Sequence, residues 1–206
     1  MVKRKISLDC DGVISDVNGF LRDCFYDYFK REMPDDFIDA YYSNKIEKCT
    51  ERDNFDHEKI KQFLEKYPSM LFKALPELKV VNGAKDGIER LTKKGIGCVV
   101  NSYRPSECQG IKQNIGEITR DWFKKNELYL PVNLFESEDE KCSGICNSGF
   151  ETHVDDNPGL LRNLKSSNNN LALIFYNPEC NLKINEKIIT VKSWAELTEF
   201  ILNFKN

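Results

Sequence analysis

Residues 7–16 read SLDCDGVISD. An apolar run from Lys5 to Leu8 ends on two aspartates one residue apart, Asp9 and Asp11, and Gly12 follows at once. Like charges that close repel, so holding them together needs a cation or a division of chemical roles. A short apolar run stopped by polar residues and glycine predicts a strand with the aspartates at its carboxyl end. A calcium loop competes for D-x-D-G, but Val13 follows the glycine and the later acidic ligands are missing.

Past this stretch the spacing turns helical. Phe20, Leu21, Cys24, Phe25, Tyr28 and Phe29 share one helix face, ended by Pro34. Phe37, Ile38, Tyr41 and Tyr42 predict a second helix. Ile60, Phe63, Leu64 and Tyr67 predict a third, stopped at Pro68. Residues 17–75 therefore form a helical block inserted after the first strand.

Beyond it, strands and helices alternate. Helices are expected around Ala84–Leu91, Ile111–Trp122, Leu160–Leu164 and Trp194–Ile201. Strands are expected at Ile96–Val100, Phe150–Val154 and Leu171–Phe175, with a shorter one inside Leu128–Phe135 limited by Pro131. Asn168, Asn169 and Asn170 form a polar loop. Alternation of this kind implies an α/β fold, a Rossmann-like parallel sheet covered on both faces. Residues 1–16 and 76–206 form the core domain and 17–75 a helical cap.

Bulk properties narrow the class. The chain has 206 residues and a formal charge of −3. That balance disfavours nucleic-acid polymers and anionic membranes as partners. Asp9 and Asp11 interrupt the first apolar run too early for a signal peptide, and no stretch is long enough to span a bilayer. A cytoplasmic location is expected. The eight cysteines show no disulfide framework, and the Cys142–Cys146 pair has no partner set for zinc. They read as reduced structural thiols. His57 reads as a surface residue and His153 as strand packing.

In parallel α/β sheets ligands gather at the carboxyl ends of the strands. The first end carries Asp9 and Asp11, the second Ser102 in VVNSYRP, and the later one Asp155 and Asp156 in THVDDNP. Four carboxylates at one site call for a cation, and hard oxygen ligands suit Mg²⁺. Arg104 either reaches the bound anion or caps the next helix.

DCDGVISD resembles the first motif of the haloacid dehalogenase (HAD) superfamily. Ser102, Lys141 and Asp155-Asp156 resemble its later motifs, in the same order. Within that superfamily the sequence is similar to the 5′(3′)-deoxyribonucleotidases, in DGV…SD through Asp16, in GFLRDCF and in FKALPELKVVNGAKDGIERL. The resemblance implies a phosphatase in which Asp9 is the nucleophile and Asp11 the acid/base. It implies Mg²⁺ on Asp9, the backbone oxygen of Asp11 and Asp156, with Asp155 acting through water. Ser102 and Lys141 would hold phosphoryl oxygens, while Gly12 lets the backbone turn beside the phosphate.

The implied substrate is a small phosphomonoester, a (deoxy)nucleoside monophosphate above all. Phe20, Phe25, Phe29, Tyr41, Tyr42 and Phe63 are the rings available to a base, though helical spacing makes most of them cap core. Two stretches depart from the subgroup. Val17 stands where it has an aromatic residue, and Glu138, Asp139 and Glu140 stand where it has a basic one. The alternatives are a sugar-phosphate phosphatase or phosphomutase on the same scaffold, and a non-catalytic binding protein. The oligomeric state is open, a homodimer included.

Overall fold

The computed structural model describes residues 4–42, 46–105, 114–168, 170–178 and 188–204; the side chains of 39, 42 and 48–50 lie outside the description. The first strand is β1 (Arg4–Leu8). Four helices follow: α1 (Val17–Phe29), α2 (Phe37–Tyr42), α3 (Ile46–Arg52) and α4 (His57–Ala74). Then come α5 (Ala84–Lys93), β2 (Ile96–Tyr103), α6 (Ile115–Lys125), β3 (Val132–Phe135) and α7 (Glu138–Asn147). The chain closes with β4 (Thr152–Asp155), α8 (Pro158–Ser167), β5 (Ala172–Tyr176), β6 (Ile189–Val191) and α9 (Trp194–Asn203).

The six strands form one sheet in the order β3-β2-β1-β4-β5-β6, and every pairing is parallel. The order reverses at β1, which lies between β2 and β4. A reversal opens a crevice at the carboxyl ends, because the flanking connections leave toward opposite faces. Asp9 sits at that point, its amide donating to the Val154 carbonyl at 2.8 Å.

The two faces are packed differently. Ile6, Leu8, Cys98, Val100, Val154 and Ile174 meet buried residues of α5, α6 and α9, among them Leu91, Trp122, Trp194 and Ile201. This apolar cluster continues without a break into the helical insertion through Leu21, Phe25 and Phe63. The opposite face has a smaller cluster, Ile145 of α7 and Leu160, Leu161 and Leu164 of α8 against Leu171, Leu173 and Phe175. There β1, β2 and β4 present Ser7, Asn101 and His153, all at most 1% exposed.

The insertion leaves and re-enters the core through two adjacent segments. The Asp16 amide donates to the Lys79 carbonyl, and the Val81 amide to that of Ile14. Trp194 Nε1 donates to the Val13 carbonyl at 2.7 Å and Trp122 Nε1 to that of Leu78 at 2.8 Å. Both passages are thereby tied to core helices. Asp16 also starts α1, its carboxylate accepting from the Gly19 amide at 2.9 Å.

Five elements differ from the sequence reading, helix α7 (Glu138–Asn147) among them, since no helix was expected there. The third predicted helix does not stop at Pro68: α4 runs through it to Ala74. An interior proline costs about 3 kcal/mol. Here Phe63 and Tyr67 before it and Phe72 after it are all buried, and that packing offsets the cost. The short helix α3 and the edge strand β6 were not anticipated. β2 extends three residues past Val100, because Asn101, Ser102 and Tyr103 pair with Asn133, Leu134 and Phe135. Ser102 thus lies inside the strand, one residue from its end. Ile111 and Asn169 lie outside the described residues.

Candidate active site

α7 has little apolar periodicity, and its start is set by capping. Ser137 Oγ accepts from the Glu140 amide at 3.1 Å. Glu138, Asp139 and Glu140 occupy its first turn, where the helix dipole favours negative charge. One turn on, Lys141 points inward and is 4% exposed. Its ammonium donates to Asp9 Oδ1 at 2.6 Å and to Asp155 Oδ2 at 2.8 Å. β1, β4 and α7 thus meet at one cation.

Asp155 is held on both oxygens. Oδ1 accepts from the Asn157 amide at 2.8 Å. Oδ2 takes Lys141 and also His153 Nε2, at 3.0 Å. Asn157 begins α8, accepting from the Gly159 and Leu160 amides with Pro158 at the first helical position. The D-D-N-P run is therefore a strand end fused to a helix cap, with both acids turned to the site.

Asp11 is gripped separately. Arg104 donates to both its oxygens at 2.7 Å each, and Ser15 Oγ donates to Oδ1 at 3.1 Å. The guanidinium is buried, its Nε on Thr119 Oγ1 at 3.0 Å and its Nη1 also on the Tyr103 carbonyl. Among the described residues Arg104 caps no helix. It reaches the site and there holds a carboxylate.

Gly12 has a φ of +71°. A Cβ at this position would lie 1.9 Å from Asp156 Oδ2 and 2.4 Å from its Cγ. Only glycine lets the turn after Asp11 press against Asp156. Gly12→Ala is expected to destabilise the fold by about 1–2 kcal/mol from the backbone conformation alone. It should also displace Asp156 from the acid cluster and lower whatever affinity that cluster has for a divalent cation; urea unfolding and calorimetric titration measure the two losses.

Asp9, Asp155 and Asp156 each offer an oxygen, and these atoms lie within 4.8 Å of one another. No other such acid, cysteine or histidine cluster exists among the described residues. Four buried or half-buried carboxylates face two cations, Lys141 and Arg104. The site is short of positive charge by two units, and its titration reflects that. Burial pushes Asp9 up to about 7, and Asp155 and Asp11 add to the rise while Lys141 opposes it. Burial, then Asp155 and Asp9, raises Asp156 well above the carboxylate range. Asp155 and Asp11 also feel burial, but Lys141 holds the first and Arg104 the second below their ordinary values. A divalent ion with hard-oxygen preference fits this donor set and this charge.

The structure brings Asp9, Lys141, Asp155 and Asp156 together and pairs Asp11 with Arg104. Ser102 is buried at the carboxyl edge of β2, on the strand beside β1. His153 is more than strand packing, since both ring nitrogens have partners. The sequence signal for it was the polar residue in a central parallel strand, where apolar runs are the rule. Cys10, Cys24, Cys98, Cys142 and Cys146 are free thiols; the side chains of Cys49, Cys108 and Cys180 lie outside the described residues. His57 begins α4 half-exposed. No helix among the described residues is long and apolar enough to cross a membrane.

No protein-family model matches the chain, and no curated protein matches it. Solved structures do. The HAD-hydrolase YfnB from Bacillus subtilis, bound to magnesium, is 13% identical, with 98% of this chain and 99% of that one covered and a TM-score of 0.59. A haloacid dehalogenase-like protein of unknown function from Agrobacterium tumefaciens is 12% identical, with 96% and 97% covered and a TM-score of 0.60. The D,D-heptose 1,7-bisphosphate phosphatase from Burkholderia thailandensis is 11% identical, with 98% and 100% covered and a TM-score of 0.55. The chain therefore has the fold of the haloacid dehalogenase-like hydrolases along nearly its whole length.

Proposed function

We propose that the protein is a Mg²⁺-dependent phosphomonoesterase that works through an aspartyl-phosphate, with (deoxy)nucleoside monophosphates as its substrates. The observation that carries this reading is the Asp9–Lys141–Asp155 contact beside Asp156 at the sheet's reversal point. A nucleophilic carboxylate, a fixed cation and a metal-ready acid pair are the parts phosphoryl transfer needs. In this reading residues 1–16 and 76–206 are the catalytic core and 17–75 the cap that covers the substrate.

Asp9 attacks phosphorus, and the bond to the ester oxygen breaks. Asp11 gives that oxygen a proton as it leaves as an alcohol. Asp11 then takes a proton from the water that attacks the phosphorus of the acyl phosphate, releasing Asp9 and inorganic phosphate. Asp11 is an ionised partner of Arg104 in this structure. For it to carry a proton, the guanidinium must find another anion, and the arriving phosphoryl group is one. Lys141 and Ser102 hold phosphoryl oxygens, and Gly12 keeps the loop close to them. Asp9, the Asp11 carbonyl and Asp156 would hold Mg²⁺, with Asp155 acting through water. The ion supplies charge neutralisation between the anionic nucleophile and the anionic substrate.

A second reading, a sugar phosphate as substrate, is favoured by the cap's interior. Phe25, Phe29 and Phe63 pack on one another with centroids 4.5 to 5.7 Å apart. These rings build the cap's core and are not free to stack on a base. Phe20, only partly buried, and Tyr41, 43% exposed, are the remaining candidates among the described side chains; that of Tyr42 lies outside the description. Phosphate release from nucleoside 5′- and 3′-monophosphates and from sugar phosphates, with Mg²⁺ or chelator, tests both readings. Release from deoxynucleotides supports the first and release from sugars alone the second. No release from any of them leaves the non-catalytic binding protein.

The charge shortfall predicts a pH-dependent metal effect. Asp9 and Asp156 bind protons more tightly folded than unfolded, so their contribution to stability is full below pH 3.8; that of Asp9 is lost as pH rises through about 7, and that of Asp156 well above the ordinary carboxylate value. A cation that replaces those protons should restore it. The thermal shift between Mg²⁺ and chelator is therefore expected to grow from pH 5 to pH 8. His153, held by burial below its ordinary 6.5, pulls the other way in part of that range. A cation beside Asp155 also disfavours protonation of His153, so this titration adds to the growth of the difference with pH. A shift that shrinks with pH would contradict the assignment.

A further inference from the structure

The polar residues between the two apolar clusters form a continuous hydrogen-bonded chain across four strands. Asn133 Nδ2 on β3 donates to Asn101 Oδ1 on β2 at 3.0 Å. Asn101 Nδ2 donates to Ser7 Oγ on β1 at 2.8 Å. Ser7 Oγ lies 2.7 Å from His153 Nδ1 on β4, and His153 Nε2 lies 3.0 Å from Asp155 Oδ2. Of these residues only Asp155 belongs to the reaction scheme above.

The direction of the chain follows from its last member. Asp155 is 2.8 Å from the Lys141 ammonium and is a carboxylate, which can only accept. His153 Nε2 must therefore carry the hydrogen. A neutral imidazole then has a bare Nδ1, which accepts from the Ser7 hydroxyl. The hydroxyl has spent its only hydrogen, so it accepts from the Asn101 amide, whose oxygen accepts from Asn133. Every donor points toward the site. Reversing any one bond would leave two donors or two acceptors facing each other in a buried space.

We propose that His153 is a positioning residue of the site: as the Nε2–H tautomer, locked by Asn133, Asn101 and Ser7, it fixes Asp155 Oδ2 so that Asp155 holds the Lys141 ammonium against Asp9. Neither oxygen of Asp155 is then free to rotate, since Oδ1 is bound by the Asn157 amide. Without His153, Oδ2 has Lys141 alone to set its direction. Lys141 is a flexible side chain with a rotatable ammonium. The polar residues thus spend apolar packing on this face to fix one carboxylate, as outer partners of metal and phosphate sites do.

The catalytic consequence rests on the phosphatase reading; the tautomer does not. The chain has two histidines, so long-range ¹H–¹⁵N spectra of the labelled protein are simple to assign with His153→Gln as reference. At pH 7.5, His153 is expected to show a protonated Nε2 and a bare Nδ1. A protonated Nδ1, or a ring with both nitrogens protonated, would overturn the proposal whatever the protein's activity. His153→Gln keeps an N–H where Nε2 stands, while His153→Leu keeps only bulk. On the substrate found by phosphate release, Leu should lower kcat about 10–100-fold with KM unchanged, and Gln should restore most of it. Ser7→Ala, a smaller change, should cause an intermediate loss, and it decides the matter if His153→Leu does not fold. Equal loss in the Gln and Leu variants, or a change confined to KM, would refute the positioning role. If no phosphomonoester is hydrolysed, Mg²⁺ affinity by calorimetry replaces kcat, with the same order of variants expected and equal affinities overturning the idea.

Discussion

Asp9→Asn is expected to abolish phosphate release, by a factor of about 10⁴ or more, while the protein stays folded. An amide is a poor nucleophile toward phosphorus and cannot form the acyl phosphate. The fold should tolerate the change for a reason specific to this site. Asp9 lies among three other carboxylates, and burial with repulsion from Asp155 and Asp11 raises it to about 7. Removing its charge relieves that repulsion, and Lys141 keeps Asp155 as a partner at 2.8 Å. The melting temperature in chelator should therefore stay level or rise. The stabilisation by Mg²⁺ should fall, since one ligand has lost its charge. Assays with the best substrate and melts with and without Mg²⁺ check the three parts. Activity within tenfold of wild type would remove Asp9 from the mechanism.

Lys141→Ala is expected to damage both stability and turnover. Lys141 is 4% exposed and bonded to two buried acids. Deleting one partner of a buried ion pair leaves uncompensated charge, a loss of about 3–5 kcal/mol. Here the deletion widens an existing deficit, so the effect should be largest at neutral pH without metal. Saturating Mg²⁺ should recover part of the stability. It should not recover the rate, because a fixed donor to the phosphoryl oxygens is gone; kcat should fall about 10²–10³-fold. Lys141→Arg should fail as well, since a planar fork cannot replace a point charge between Asp9 and Asp155. Urea unfolding at pH 5.5 and 7.5, with and without Mg²⁺, and steady-state kinetics measure these effects. A stable, active Lys141→Ala protein would return Lys141 to the status of an incidental buried charge.

Much of the fold could be read because its signals are local. The apolar run ending in Asp9-Cys10-Asp11-Gly12 is a strand end by composition, and it is one. The block after it is helical because its apolar residues recur at helix spacing, and α1, α2 and α4 lie there. The failures are equally physical. Pro68 marks a local cost, while Phe63, Tyr67 and Phe72 supply a tertiary gain that no window around the proline contains. α7 was missed because EDEKCSGICN has almost no apolar face; its capping pair, Ser137 and Glu140, was the available signal. β6 is three residues long and takes its place from pairing with β5.

For the site, the residue types and their order along the chain were set by the sequence alone. It placed Asp9, Asp11, Ser102, Asp155 and Asp156 at strand ends, because a parallel sheet puts those ends on one edge. Partnership was decided by the tertiary structure. A lysine reads as a surface charge until α7 turns Lys141 inward, and an arginine reads equally as an anion ligand or a helix cap until the fold lays Arg104 on Asp11. Ser7, Asn101, Asn133 and His153 are separated by up to 146 residues, and each alone is an ordinary polar residue in a strand. Only strand order and register bring them into one chain, because hydrogen bonds depend on distances of a few ångströms that sequence spacing does not encode.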